Sequence, residues 1–168
     1  MKKSITLVFS AYQSHHLLIK IVKRLDKKYK IIIIENSLDQ NLKIKLEKKF
    51  KNVEVFIPKK NLGLAKTYNL GIKMAKTKYV FLNNPDHEIN NRIINELYYC
   101  ANKIKNFGII SPTYKNEKVF KNYDIYTPKK NINSSFFRKF GIKEVDFIDN
   151  CFFVKKNNLI KNLFYEKF

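Results

Sequence analysis

The chain has 168 residues, enough for one domain with a sizeable core, and its 45% hydrophobic content with few glycines and prolines excludes an intrinsically disordered chain. Basic residues outnumber acidic ones 34 to 14, for a net charge of +20, which admits a phosphorylated ligand, an anionic membrane surface or nucleic acid as partner. No apolar run approaches the roughly 20 residues of a membrane-spanning helix, and Cys100 and Cys151 lack metal-like spacing, so a reduced, cytoplasmic chain is the simplest reading.

Met1-Lys2-Lys3 before an apolar stretch has the outline of a signal peptide, but the stretch is short and no small-residue cleavage site follows. Ser4 to Phe9 reads as a first strand buried on both faces, ending at Ser10-Ala11-Tyr12-Gln13. Leu17, Leu18, Ile21, Val22 and Leu25 mark one face of a helix running to about Lys28. His15 and His16 open that helix without partners at metal-ligating spacing, so they read as surface or capping residues. Ile31 to Ile34 form a second buried strand that runs into Glu35-Asn36-Ser37-Leu38-Asp39. Leu42, Leu46 and Phe50 give a second, basic helix; Val53 to Ile57 give a third strand, ended by Pro58.

The next block is the most informative. Asn61-Leu62-Gly63 punctuates a turn, because glycine and then asparagine tolerate positive φ best. Leu64, Tyr68, Ile72 and Ala75 recur at helical spacing, and Tyr79 to Leu82 is an unalternating apolar run, as expected of a strand covered on both faces. It stops at Asn83-Asn84-Pro85-Asp86-His87-Glu88. Carboxylates at the C-terminal end of a buried parallel strand lie where open α/β sheets bind ligands.

The ordered set Asn61-x-Gly63, Asn69-x-Gly71, Ala75 and Leu82-x-Asn84-Pro85-Asp86 resembles the donor-binding half of family 2 glycosyltransferases, most of all the rhamnosyltransferase-like branch. The resemblance implies an α/β, GT-A-like nucleotide-diphospho-sugar transferase fold with a mainly parallel central sheet flanked by helices. It implies a donor-binding half over residues 1–112 and a partial acceptor-side half over 113–168 of the same domain. Ser10, Ala11 and Tyr12 are similar to the family's turn at the nucleotide edge. Glu35 stands in for the acid that contacts the nucleotide base, with Asn36 beside it; a carboxylate can accept an imide N–H. Read from local pattern alone, Glu35 is an exposed strand-end residue and Asp39 a helix cap.

Downstream, Ile93, Ile94, Leu97, Tyr98, Ala101 and Ile104 outline a helix, and Phe107 to Pro112 a fifth strand. Val119 to Thr127 suits a hairpin arm and Lys129 to Ser135 a polar loop. Val145 to Val154 reads as a strand, with Asn150 where the family usually has glycine; Lys156 to Leu163 reads as a short helix. Phe164 to Phe168 is similar to the family's Phe-Asp-Glu-x-Phe with Tyr165 in place of the Asp. The sequence stops before the acidic pair that usually supplies the general base, so a domain shortened at its C-terminus that binds donor but transfers poorly is expected.

The resemblance implies inverting transfer of a sugar from a nucleotide diphosphate donor of pyrimidine or thymidine type to a glycan or lipid-linked acceptor, in surface polysaccharide synthesis. Asp86 would hold Mg2+ or Mn2+ together with phosphate oxygens, Asn84 helping through its carbonyl or a water. His87 reads as a further Mn2+ ligand or as solvent-facing. Lys59, Lys60 and Lys66 would steer the diphosphate. Asn61, Gly63 and Asn69 complete the donor site. Asp146, Asp149 and Glu166 are the acids left in the acceptor half as candidate bases.

The alternative reading is a truncated or non-catalytic nucleotide-sugar-binding domain. Specific nucleic-acid binding is disfavoured, because only Arg24, Arg92 and Arg138 are arginine and no ordered aromatic platforms are present. Scattered lysines suit a solvated surface or peripheral contact with the inner face of an anionic membrane.

Overall fold

The apolar strands foreseen from the sequence assemble into one sheet. The structure, a computed structural model, describes residues 4–104, 106–113, 123–124, 145, 147–161 and 163–166. Its first half is three βα passes and a fourth strand: β1 (Ile5–Ala11), α1 (His15–Arg24), β2 (Lys30–Glu35), α2 (Gln40–Lys49), β3 (Val53–Phe56), α3 (Gly63–Met74) and β4 (Tyr79–Asn83). Then follow α4 (Asn91–Lys103), β5 (Ile109–Ile110), β6 (Tyr123–Asp124), β7 (Phe147–Ile148), β8 (Phe152–Lys155) and a one-turn helix, α5 (Lys156–Leu159).

The six-stranded sheet has the order β3-β2-β1-β4-β8-β5. β3, β2, β1 and β4 are mutually parallel, with Ala11 opposite Glu35 and Phe9 opposite Asn83. β8 is antiparallel to both of its neighbours. β6 and β7 form a separate two-stranded pair.

Period-two alternation explains why these strands are apolar throughout. Leu7, Phe9, Ile31, Ile33 and Phe81 face a core closed by α1, α2 and α4. Val8, Ile32, Ile34, Val80 and Leu82 face a second core under α3 and Phe164. Contact between α3 and β1 is close: a Cβ on Gly71 would lie 2.2 Å from Val8 Cγ1, so the helix can sit there only without a side chain. The outer edge of β3 is covered by α2, where Lys43 donates to the carbonyl of Val55 (2.9 Å) and Glu47 Oε1 accepts from its N–H (2.8 Å).

The differences from the sequence reading are local. The Val145–Val154 strand is two strands in different sheets, broken by a turn in which Cys151 has φ +58°. The left-handed residue that would favour glycine is thus Cys151, one position after Asn150. Helix α1 ends at Arg24, well short of Lys28, and the last helix stops at Leu159 instead of Leu163. β6 falls inside the foreseen hairpin arm, while Lys129 to Ser135 lies outside the described residues.

Candidate active site

Four turns meet at the C-terminal edge of the parallel strands: those after β1, β2, β3 and β4. Each leads from a strand toward the start of a helix, where backbone N–H groups need acceptors, which is why this edge is rich in Asn, Asp and Ser. Asp39 Oδ1 caps α2 by accepting from Asn41 N (2.8 Å) and Leu42 N (3.1 Å), and its other oxygen contacts His15 Nε2. The capping reading of Asp39 holds, and His15 serves as its surface partner.

Asn36 ties the first three turns together. Its backbone N–H bonds the carbonyl of Ala11 (2.8 Å), its Nδ2 donates to Thr67 Oγ1 (2.8 Å), and its Oδ1 accepts from Leu62 N (3.1 Å). Thr67 in turn donates to the carbonyl of Gly63 (2.6 Å), and Asn61 Oδ1 accepts from Gly63 N (2.9 Å). Gly63 itself has φ +70°, the conformation foreseen for this turn.

Glu35 is not an exposed strand-end residue; it is fully buried, at 0% exposure. Its Oε1 accepts from Ser37 N (2.7 Å) and contacts Ser37 Oγ, while Oε2 is buried with no hydrogen-bond partner. Gln13 N donates to Ser37 Oγ (3.3 Å), which brings the loop carrying the exposed Tyr12 over this carboxylate; Ser10 lies half-buried at the end of β1. A buried carboxylate oxygen with nothing to accept from is a place where a ligand N–H would be held strongly.

The fourth turn presents Asp86. Asn83 is buried and donates from Nδ2 to the carbonyls of Asn84 (3.0 Å) and His87 (3.5 Å), while its Oδ1 accepts from the Cys151 thiol (2.9 Å). The turn closes through His87 N to the carbonyl of Asn84 (3.2 Å), leaving the Asp86 side chain 71% exposed. His87 is not solvent-facing: its side chain is mostly buried, with Nδ1 3.6 Å from Asp86 Oδ1. The side-chain oxygen of Asn84, Oδ1, accepts from the Tyr68 hydroxyl (2.8 Å). Burial, and then the nearby charges of Asp86 and Asp149, pushes the Cys151 thiol up to about 12, so it stays protonated and is no nucleophile. Burial and the same Asp86 charge also raise the Tyr68 phenol.

Beside these turns lies a cavity of about 440 Å³ that runs past Gly63, Lys66 and Tyr68 to Asp149, Phe164 and Glu166. Leu64, the first of the residues at helical spacing, is half exposed and lines this cavity. Asn69 does not face the donor turns. It donates to the Phe164 carbonyl (2.8 Å) and Glu166 Oε1 (2.7 Å) and accepts from Phe164 N (2.9 Å), clamping the last described segment to α3. Of the three candidate bases, Asp149 and Glu166 line the cavity and Asp146 lies outside the described residues.

Sequence reasoning passed over Asn83, Thr67 and the Tyr68 hydroxyl. Tyr68 reads as core by spacing, and only its choice over Phe hints that a polar partner waits at its tip.

A mainly parallel sheet with acceptor-rich turns and the exposed Asp86 at its C-terminal edge defines a ligand-binding α/β domain of the nucleotide-sugar transferase kind. The comparisons agree: residues 6–163 match the model described as glycosyl transferase family 2, and the chain belongs to that family. A relative 29% identical over 128 residues is the poly(ribitol-phosphate) beta-N-acetylglucosaminyltransferase TarP of Staphylococcus aureus (strain N315), the match covering 74% of this chain and 36% of that one. The solved structure of S. aureus TarS 1-349 superposes with a TM-score of 0.61 at 16% identity, over 98% of this chain and 51% of that one. The mannosyltransferase PcManGT from Pyrobaculum calidifontis gives a TM-score of 0.58 at 12% identity, over 73% and 41%. These likenesses show the GT-A fold, and the chain spans between a third and about half of each relative's length.

Proposed function

We propose that this chain binds a nucleoside diphosphate sugar along the C-terminal edge of its sheet and presents the sugar to an acceptor hydroxyl in the adjoining cavity. The observation that carries this is the convergence of Ala11, Glu35, Asn36, Asn61, Gly63, Asn84 and Asp86 on one edge of a family 2 chain. The relatives support such a donor: one TarS structure is described in complex with UDP-GlcNAc, and the mannosyltransferase with GDP-Man and Mn2+. Glu35 Oε2 supports a pyrimidine or thymidine base, whose imide N–H it would accept, with the exposed ring of Tyr12 alongside. The rhamnosyltransferase-like branch rests on the Asn84-Pro85-Asp86 wording, while the relatives are named for N-acetylglucosaminyl and mannosyl transfer.

Mg2+ or Mn2+ fits the residues present. Among the described residues no cluster of three or more His, Cys, Asp or Glu is gathered for a metal, and at this turn they offer the exposed carboxylate of Asp86. One exposed carboxylate plus diphosphate oxygens and waters suits a hard divalent cation. When bound, such an ion would neutralise charge on the departing diphosphate. The side-chain oxygen of Asn84 accepts from the Tyr68 hydroxyl, so any help it gives the ion would come through its second lone pair or a water.

Asp149 and Glu166 are the carboxylates placed to take a proton from an acceptor in the cavity. A glycan or lipid-linked acceptor and a place in surface polysaccharide synthesis follow the relatives' names, TarP's being a poly(ribitol-phosphate) chain. No helix among the described residues is long and apolar enough to cross a membrane. A cytoplasmic chain in peripheral contact with a membrane is the reading that fits its charge.

Titration calorimetry with UDP, with and without EDTA, tests the donor site. At least tenfold weaker binding after chelation, and the same loss in Asp86→Ala without EDTA, are expected for a metal-bridged diphosphate, roughly the 1.4 kcal/mol of one decade in affinity. Equal affinity in all three experiments removes Asp86 from the metal site. Binding without turnover of the UDP-sugar and an acceptor glycan would leave a nucleotide-sugar-binding domain.

A further inference from the structure

Among the described residues, many of the lysines gather at one edge of the sheet. At the ends of α1, α2 and α3, Lys23, Lys48, Lys49 and Lys73 are all exposed. Just before or at the first residues of β2, β3 and β4 stand Lys27, Lys30, Lys51, Lys76 and Lys78, also exposed. In a parallel α/β sheet these positions share one edge, and the hydrogen bonds confirm it. Ile31 N donates to the carbonyl of Asn52 (2.9 Å), and Thr6 and Thr77 bond through their hydroxyls (2.7 Å). Lys78 N donates to Ser4 Oγ (2.9 Å), and Lys156 N to the carbonyl of Lys78 (3.0 Å). The carboxylates that ion pairs place at this edge are Asp26 and Glu54, paired with Lys28 and Lys30, and Glu88, paired with Arg24 in the last turn of α1. Glu35, Asp39, Asp86 and Asp149 belong instead to the opposite edge, with the candidate active site.

Helix dipoles account for part of this. A cation in the last turn of a helix is favoured by the carbonyl end. Lys51 and Lys76 stand one residue past the C-caps of α2 and α3, where the same attraction reaches them, while Lys27, Lys30 and Lys78 lie farther on and add charge to the same edge.

We infer that the N-terminal edge of the sheet docks on an anionic lipid surface, holding the active edge turned away from it. Six strands at about 4.8 Å spacing make this a face roughly 24 Å wide. Its cations are lysines, suited to diffuse attraction by many headgroups and not to the bidentate grip on a polynucleotide that arginine gives. The one nearby arginine at a helix end, Arg24, is bonded to Glu88 (2.9 Å). Strands of five to seven residues put the candidate active site about 20 Å above the lipid plane. An acceptor anchored in that membrane would therefore be met at the far end of a grown chain and not at the unit next to its lipid. The docking itself is independent of the proposed sugar transfer; only this last consequence rests on that reading.

The test is sedimentation of the full chain with phosphatidylcholine vesicles with and without about 30% phosphatidylglycerol, at about 0.1 M salt. Binding only to the anionic vesicles is expected. Each lysine near the surface contributes roughly fivefold (about 1 kcal/mol), so the triple variant Lys48→Ser, Lys51→Ser, Lys76→Ser should bind at least about 30-fold more weakly. The charge-matched triple Lys59→Ser, Lys60→Ser, Lys66→Ser, on the opposite edge, should stay within about threefold of the parent. Equal losses in the two triples would reduce the effect to net charge and overturn the assignment. So would absence of vesicle binding, or tighter binding to duplex DNA than to vesicles at the same salt. UDP affinity unchanged on the vesicle supports the orientation, and its loss there, when UDP binds in free solution, overturns it.

Discussion

The two edges of the sheet are made by the same strands and differ in how their side chains are spent. At the C-terminal edge Asn36, Asn61, Thr67 and Asn83 are used up inside the protein, each meeting backbone or side-chain partners. At the N-terminal edge the lysines stand in solvent, and the contacts they make are surface ones: Lys30 with Glu54, Lys49 over Phe50 and Lys78 over Tyr79. The direction of the backbone explains the contrast. Chains leaving strands enter helices at their N–H end and need acceptors; chains leaving helices present carbonyls and favour cations. One edge is therefore held rigid by short polar side chains, as a binding site requires, and the other is free to carry charge outward.

The largest effect that would break this contrast concerns Asn36. In Asn36→Ala the Thr67 hydroxyl loses its buried donor and Leu62 N its acceptor, a loss of about 2–3 kcal/mol for unsatisfied buried groups. Urea unfolding should show it as a lower midpoint at unchanged slope. UDP binding should weaken as well, because the turns after β2 and β3 are joined through this side chain, while the backbone bond to Ala11 survives the substitution. A cost below about 0.5 kcal/mol would mean that the edge is not knit through Asn36.

How much of this was legible in the sequence follows from the same physics. Parallel strands buried on both faces announce themselves as unbroken apolar runs, so β1, β2 and β4 were found within a residue or two. Turns needing special φ also show, as at Gly63. Burial of a polar group at a strand end does not show. Glu35 looks exposed because nothing local says that Ser37 and the Tyr12 loop close over it. Nor could spacing reveal that Asn69, though part of the family-like set, turns toward Phe164 and Glu166, 95 or more positions away. The lysines were visible as a count, but their edge exists only once the strands are in register.

A smaller effect sharpens the reading of Glu35. Glu35→Gln keeps an oxygen for the Ser37 donors and removes a buried charge whose second oxygen has no partner. Stability should stay the same or rise, since an unpaired buried charge is costly. UDP affinity should fall by about 1.5–3 kcal/mol, the worth of a hydrogen bond to a charged group, while pyrophosphate affinity should hold. Thermal unfolding and calorimetry on one preparation separate the two. A loss of stability without a loss of pyrimidine preference would make Glu35 a structural residue only.

The smallest effect tests the other edge, and its sign matters more than its size. Lys51→Ser with Lys76→Ser removes two exposed charges that have no ion-pair partner shown among the described residues. In a chain of net charge +20 each such lysine is repelled by the rest, so removing two should stabilise the fold slightly at low salt, by no more than about 0.5 kcal/mol. Near 1 M salt the screening length shrinks to about 3 Å and the gain should vanish. Thermal unfolding of parent and variant at low and high salt reads both. Destabilisation at either salt would show that these lysines hold the fold together, and the contrast between an edge built inward and an edge turned outward would fail. Slight stabilisation that salt erases would mean that the protein carries this charge at a cost to its own stability, as expected if the face is kept for something outside the chain.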